Sequence, residues 1–505
     1  MLTPRDMPGF FSFQPPLPRM TNFTYNTATE LMAHLHAGEV TSTQLLEQHI
    51  ARVAQRDGPI NAVVVRTFDA ARERAAQADA ARACGEDWGP LHGLPMTVKE
   101  SFDLPGTPTC WGFPQYKDNI AQQPAVAVQR LLDAGAVVFG KTNVPVALGD
   151  WQTFNPVYGT TNNPWDLSRS PGGSSGGASA ALAADMTPLE LGSDIGASIR
   201  NPAHYCGVYG HKPTWGVVPM QGHQLPGVRC IDSLDIAVAG PLARSAQDLQ
   251  LAMQVLTTPL QLFGPLGWTP AQWRQTAKTP RQCRVAIVYD DPQARVDNSI
   301  QERLQALADF LRAQGVTVLE NHRPVDSAQS HRVYSYLLRS ATGAWLDDAT
   351  FTRFQGLARQ SDPALDTMRE RVWRGSTLTH RDWIEFDQQR AVLRAQWRNY
   401  FESVDLLITP VATSPAFLHN QQGERWERML QVNGQDQPHT DSLFWAGYPG
   451  VVGLPATAIP IGQSPSGLPV GAQIIGNSFA DPLCLNMARW LETEWCGFVP
   501  PPQLA

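Results

Sequence analysis

Two short serine-bearing stretches and one lysine stand out as residues able to do chemistry together. Ser174 and Ser175 lie in a run of almost no side-chain bulk, with Pro171, Gly172 and Gly173 before them and Gly176 and Gly177 after. Such a backbone can turn sharply and approach a ligand closely. Ser198 closes a second turn, Gly192, Ser193, Asp194, Ile195, Gly196, Ala197. A serine hydroxyl attacks a carbonyl only when a base takes its proton. Lys99, which follows the strand-like Pro95, Met96, Thr97 and Val98, can be that base if burial keeps its amine neutral. Taken alone, an ordinary exposed lysine is the commoner reading.

Two other motifs compete. Gly135, Gly140, Lys141 and Thr142 fit the GxxxxGK[ST] phosphate-binding spacing, but the four intervening residues, Ala136, Val137, Val138 and Phe139, are themselves a buried strand. A phosphate cradle needs the strand before its first glycine, so nucleotide binding is rejected. Gly172, Ser174 and Gly176 fit the GxSxG nucleophile elbow of Ser-His-Asp hydrolases, as does the frame around Ser175. That elbow requires a strand directly ahead of it, whereas residues 162–171 read as turn. Its histidine would be His204, His211 or His223, and none has a motif marking it; each reads as a surface or satisfied core histidine.

The elements that must position these residues read as α/β. Thr41 and Gln44 form a capping box for a helix that ends near Gly58 and Pro59. A second helix spans 68–84, a strand 95–98, a helix 126–134 and a strand 136–139. The apolar residues after Gly177 read as a buried helix, and 188–191 as the strand delivering the second serine turn to the same sheet end. Open α/β sheets gather ligand-facing groups at the carboxyl ends of strands, which is where Lys99 and Glu100 fall. Residues 208–239 read as a loop-rich surface walling a pocket, and 263–282 as a linker. Further on, 284–289, 300–311 and 316–319 form a strand, helix, strand unit. A helical stretch at 328–400 carries Tyr334, Tyr336, Trp345, Trp373 and Trp383, as core or pocket lining. Strands at 405–409 and 472–475 and a helix at 483–491 end the chain. Alternating strands and helices predict a central mixed, mainly parallel twisted sheet covered by helices, in one large domain over 25–505 behind an N-terminal arm, 1–24.

Composition narrows the partners. With 505 residues, 43% of them hydrophobic, the chain can bury a large core, and its net charge of −7 is spread without basic or acidic blocks. No nucleic-acid footprint or membrane-binding patch follows from that. Cys84, Cys110, Cys206, Cys230, Cys283, Cys484 and Cys496 are odd in number and lack CxxC spacing. They fit reduced thiols in the cytoplasm better than disulfides or a zinc site. The expectation is a small-molecule substrate with no metal, no organic cofactor, no nucleic acid and no membrane, and with a homodimer left open.

What joins Lys99, Ser174 and Ser198 is a set of ordered motifs. Residues 95–100, 140–143, 171–177, 192–200, 206–213 and 467–471 together resemble the amidase signature family, over about residue 25 to the end of the chain. The spacing agrees too, 75 residues from Lys99 to Ser174 and 24 from Ser174 to Ser198. The resemblance implies a cytoplasmic amidase that hydrolyses a linear carboxylic amide to an acid and ammonia or an amine. It implies Ser198 as nucleophile forming an acyl-enzyme, Ser174 as proton relay after a cis Gly173–Ser174 peptide bond, and Lys99 as neutral base. Backbone N–H groups of Ile195, Gly196, Ala197 and Ser198 would form the oxyanion hole. Asp194 and Arg200 would pair to hold the turn, with Ser175 as a further hydrogen-bonding group or a spacer. The alternatives are carbamate or ester hydrolysis by the same triad, and an amidotransferase glutaminase-type subunit. One departure is Ala197, where the family usually has glycine. A positive φ would cost alanine about 1–2 kcal/mol, so a negative φ is expected there.

Overall fold

Eleven strands of one sheet decide where the site residues end up. The computed structural model describes residues 22–227, 234–257 and 278–504. In chain order the strands are β1 (Val63–Arg66), β2 (Pro95–Lys99), β3 (Val137–Thr142), a small hairpin of β4 (Phe154–Asn155) and β5 (Gly159–Thr160), β6 (Leu189–Asp194), β7 (Tyr209–Lys212), β8 (Val238–Ala243), β9 (Arg284–Ile287), β10 (Thr317–Glu320), β11 (Leu406–Pro410), a second hairpin of β12 (Met429–Val432) and β13 (Gln435–Pro438), β14 (Ala456–Gln463) and β15 (Pro469–Gly476). The large sheet runs β1-β3-β2-β6-β8-β7-β14-β15-β11-β9-β10.

The sheet is mixed, as expected. Its parallel pairs form two blocks, β3-β2-β6 and β11-β9-β10. Strands β8, β7, β14 and β15 between them pair antiparallel. The first block follows from its crossover helices: Val126–Asp133 connects β2 to β3, and Gly176–Ala183 connects β3 to β6. Every residue of β2, β3 and β6 is buried, the mark of strands covered on both faces.

Several expected elements differ in extent. The described part of 208–239 is less loop-like than its glycines and prolines suggest, because β7 starts at Tyr209 and β8 at Val238, while 228–233 fall outside the described residues. Both are short central strands whose two faces are buried, so no polar alternation marks them. The 328–400 stretch is four helices, Ser327–Gly343, Asp348–Gln360, Met368–Ser376 and His380–Tyr400. Of the expected arm only 22–24 is described, with Phe23 buried against the helix Ser42–Ile60. Of the expected linker only 278–282 is described, and Cys230 falls outside the described residues. The other six cysteines are free thiols.

Two helices beside the serine turns are buried at every residue, Arg200–Cys206 and the one that follows Ser175. Gly176–Ala183 has no exposed residue, and its first turn runs against the end of β3. A Cβ on Gly177 would stand 2.3 Å from the Asn143 nitrogen, a contact only glycine permits. This close approach brings Ser174 and Ser175 to the carboxyl ends of β2 and β6.

Candidate active site

Lys99 ends β2 with its amine fully buried, 2.6 Å from Ser174 Oγ and 2.9 Å from Ser193 Oγ. Burial lowers its pKa to about 7, against the pull of the carboxylates of Asp194, Glu190 and Glu100. The two serine turns meet directly. Ser175 N donates to the Ser198 carbonyl at 3.0 Å, and the Gly173–Ser174 peptide is cis. Ser198 itself is 5% exposed.

The second turn is held from within by Asp194 and Arg200. The Asp194 carboxylate accepts from Ala197 N at 2.9 Å, Ile199 N at 3.1 Å and Arg200 N at 3.4 Å, and from the Arg200 guanidinium at 3.0 and 2.9 Å. Burial works to raise the Asp194 pKa, and the adjoining Arg200 charge and N–H donors bring it below the usual carboxylate value. Arg200 reaches on to Gln473 Oε1 at 2.8 Å and the Ala446 carbonyl at 3.1 Å. The turn is thereby tied to β15 and to the helix Leu443–Gly450.

From outside, every carbonyl of residues 195–198 is also occupied. Tyr334 OH donates to the Ile195 oxygen at 2.9 Å and Trp151 Nε1 to the Gly196 oxygen at 2.8 Å. Asn201 N donates to the Ala197 oxygen at 2.7 Å. Among the described residues the amides of Ile195, Gly196 and Ser198 meet no protein acceptor. A turn with its carbonyls tied back and three amides unused can receive a developing negative charge.

Ala197 departs from the sequence expectation twice. Its φ is +65°, not negative, because the turn needs a left-handed residue there whatever its side chain. Its N–H, expected in the oxyanion set, is bonded to Asp194. The methyl is fully buried among Trp151, Leu443 and Ala446.

Three contributors were not found from sequence. Ser193 bonds Lys99 from within a motif where only the neighbouring residues drew notice. His223, read as a surface or satisfied core histidine, lies 2.9 Å through Nε2 from Ser193 Oγ and 3.0 Å from Ser101 Oγ. Its ring packs on Phe102 and Trp111. Burial first, then the Lys99 charge, lowers its pKa to about 3, so it is neutral. Nothing local to His223 signals this, since Ser101 and Ser193 reach it from just after β2 and from β6. Glu190 lies in β6, where Thr97 Oγ1 donates to it at 2.5 Å. Burial raises its pKa to about 8. The other two histidines are core groups: His204 bonds the Ser414 carbonyl and Gly471 N, and His211 bonds Thr457 and Asp481.

The competing motifs dissolve. Lys141 is a buried β3 residue bonded to the Pro108 carbonyl at 2.5 Å and to Thr109 Oγ1 at 2.9 Å. Among the described residues no cluster of His, Cys, Asp or Glu is arranged to hold a metal ion, and no helix is long and apolar enough to cross a membrane.

The Amidase family model matches residues 44–485. The chain is 31% identical over 495 residues to a glutamyl-tRNA(Gln) amidotransferase subunit from a Synechococcus species, covering 93% of this chain and 96% of that one. It is 30% identical over 490 residues to indoleacetamide hydrolase of Bradyrhizobium diazoefficiens, covering 93% and 86%. Among solved structures it is similar to one from a vestigial protein complex that bears on the origins of an s-triazine catabolic enzyme. That likeness has a TM-score of 0.78 at 28% identity, over 94% of this chain and 99% of that one.

Proposed function

The chain belongs to the amidase signature family, hydrolases acting on carbon–nitrogen bonds, and from that premise we propose that it hydrolyses a linear carboxylic amide through Ser198, Ser174 and Lys99. The observation that carries the reading is the buried Lys99 amine beside Ser174 Oγ, with Ser198 bonded to the same serine turn. A lysine with a pKa near 7 has a substantial neutral fraction at neutral pH, and its lone pair can then accept the Ser174 proton. Ser174 in turn takes the Ser198 proton as Ser198 Oγ bonds to the amide carbon. Negative charge on the former carbonyl oxygen is met by the amides of Ile195, Gly196 and Ser198.

Collapse of the tetrahedral intermediate breaks the carbon–nitrogen bond. The proton held on Lys99 returns through Ser174 to the departing nitrogen, which leaves as neutral ammonia or amine. Water then attacks the acyl carbon and gives its proton along the same path to Lys99; the ester bond to Ser198 Oγ breaks, that proton returns through Ser174 to Ser198 Oγ, and the acid leaves. Ser193 and His223 keep the lysine amine oriented. A neutral His223 accepting from the Ser193 hydroxyl leaves the Ser193 oxygen to receive a Lys99 N–H, and the lysine lone pair then faces Ser174. Asp194 and Arg200 hold the turn.

A second reading follows from the similarity to an amidotransferase component, in which the chain hands ammonia to partner chains. Turnover of simple amides by the purified chain alone separates the two, since the second reading requires the partners. For the triad, a serine-directed fluorophosphonate should label Ser198, and Ser198→Ala should lose on the order of 10⁶ in kcat. Label on Ser174 instead would return the GxSxG elbow to the front.

A further inference from the structure

Five arginines among the described residues are buried: Arg52, Arg200, Arg244, Arg339 and Arg390. Four are paired. Arg52 and Arg244 meet Asp185, Arg200 meets Asp194, and Arg390 meets Asp235 and Asp387. Arg339 is 5% exposed and has no carboxylate within reach among the described residues, and its Nε is buried without a hydrogen-bond partner. The nearby charge that acts on it is a second cation, Arg425, which adds to burial in lowering its pKa to about 9.

Arg425, partly buried, is likewise unpaired. Its guanidinium makes no hydrogen bond or ion pair among the described residues, and its Nη1 lies against Gly149, where a Cβ would stand only 2.7 Å away. The carboxylate next to it, Asp150, is engaged by Arg428 at 2.6 Å and leaves one oxygen without a partner. Glu424 also acts on Arg425 but is exposed to water. Arg425 and Arg428 thus share one enclosed carboxylate, and Arg339 has none among the described residues.

One of these arginines is carried by an element that grips the Ser198 turn, and the other lies against a second. Arg339 is on the helix Ser327–Gly343 with Tyr334, whose hydroxyl holds the Ile195 carbonyl. Gly149 and Asp150 lead into Trp151, whose indole holds the Gly196 carbonyl. Guanidiniums withdrawn from water without counter-charge are costly, and their fork geometry suits a carboxylate.

We propose that Arg339 and Arg425 bind a carboxylate carried by the substrate, so that the amide cleaved at Ser198 belongs to a molecule with a second, free acid group. This rests on the amidase reading of the same site. The substrate class is then a half-amide of a short diacid or an amide of similar shape, and neutral amides are poorer substrates.

The experiment compares monoamides of the diacids from malonic to adipic with the neutral diamides of the same acids. Wild-type kcat/KM should favour one of the monoamides by about 10- to 100-fold over its diamide, the worth of hydrogen bonds to a charged group. Arg339→Gln and Arg425→Gln should each lower that ratio by about tenfold or more, chiefly through KM, and Arg425→Lys should keep part of it. Calorimetric titration of succinate, glutarate and adipate into the Ser198→Ala protein gives a readout independent of turnover, with binding lost in the two glutamine variants. Equal rates on monoamide and diamide, or dicarboxylate binding indifferent to both arginines, would overturn the proposal. Arginine-dependent dicarboxylate binding with no turnover of any amide would sink the amidase reading and leave the anion site standing.

Discussion

Lys99 and Lys141 stand at the ends of neighbouring parallel strands, in register so that Lys99 faces Thr142 and Val98 faces Lys141. Both are fully buried, and in both burial lowers the pKa. Their partners differ. Lys141 donates to the Pro108 carbonyl and to Thr109, with Glu100 and Asp103 favouring its charged form. Lys99 is bounded by two serine hydroxyls. A carbonyl can only accept, while a hydroxyl can also donate. Burial makes both lysines easier to deprotonate, and each has a hydroxyl beside it, Thr109 at Lys141 and Ser174 at Lys99, but only the Ser174 turn is bonded onward to Ser198. The comparison teaches that a base is specified by its partner's chemistry as much as by its own depressed pKa.

Replacing each lysine separates the two roles, and the larger effect is at Lys99. Lys99→Met should lower kcat/KM for an amide by about 100- to 10,000-fold. The loss should be greater than for an aryl ester with the same acyl group, because a phenolate leaves without needing a proton. In the wild type the neutral amine is the working form, so kcat/KM should fall as pH drops below about 7 and level off above it. That acid limb should be missing from the residual ester reaction of the variant. Equal losses on amide and ester would confine Lys99 to activating Ser198.

Lys141→Met should act on stability instead. It leaves the Pro108 carbonyl and Thr109 without a donor and removes the cation beside Glu100, a cost of about 1–3 kcal/mol. A denaturant midpoint measures it. The kcat/KM of the folded fraction should stay within about tenfold of wild type. A loss comparable with that of Lys99→Met would mean that the two lysines are not functionally distinct.

Much of this contrast was legible in the sequence. The strand between Gly135 and Gly140 disqualified Lys141 as a phosphate ligand, and β3 runs through that segment. The glycine-flanked serines and the Asp194–Arg200 bracket were legible because they are contiguous in the chain. What escaped notice was assembled across the fold. Ser193 and His223 join Lys99 from β6 and from a turn before β8, and Tyr334 and Trp151 reach the turn from far along the chain in both directions. Strands β7 and β8 were hidden for another reason: short, doubly buried and rich in glycine and proline, they carry no two-residue alternation.

The Ala197 backbone departs from the expected negative φ because the cost of a left-handed alanine is local, whereas what the turn gains comes from Asp194 and the packed methyl. With residue 197 at positive φ, Asp194 accepts from the backbone amides of residues 197, 199 and 200 and from the Arg200 guanidinium, and the methyl is buried against Trp151 and Leu443. Ala197→Gly relieves about 1–2 kcal/mol of strain. It forfeits roughly 0.8 kcal/mol of methyl burial and about 0.4–1 kcal/mol through a freer unfolded chain. These nearly cancel, so thermal unfolding should show a change under about 1 kcal/mol, with kcat within tenfold because no oxyanion donor is removed. A 100-fold loss in kcat would show that the methyl itself shapes the turn.

The smallest expected effect concerns the acid beneath each lysine. Glu100, beside Lys141, receives N–H groups from Cys110 and Trp111. Glu190, near Lys99, receives the Thr97 hydroxyl and has one oxygen without a partner. Burial raises the Glu190 pKa to about 8, so below that pH it is mostly protonated and exerts little field on Lys99. Glu190→Gln copies the neutral acid in shape, and the acid limb of kcat/KM should then move by less than about 0.3 pH unit. If Glu190 is instead ionised, it holds the Lys99 pKa up, and its removal lets that pKa fall. The acid limb would then move down by about one unit, a differential interaction of about 1.4 kcal/mol. Measuring kcat/KM between pH 5.5 and 8 in both proteins decides it. A downward shift of that size would mean that Lys99 works as one member of a coupled acid–base pair.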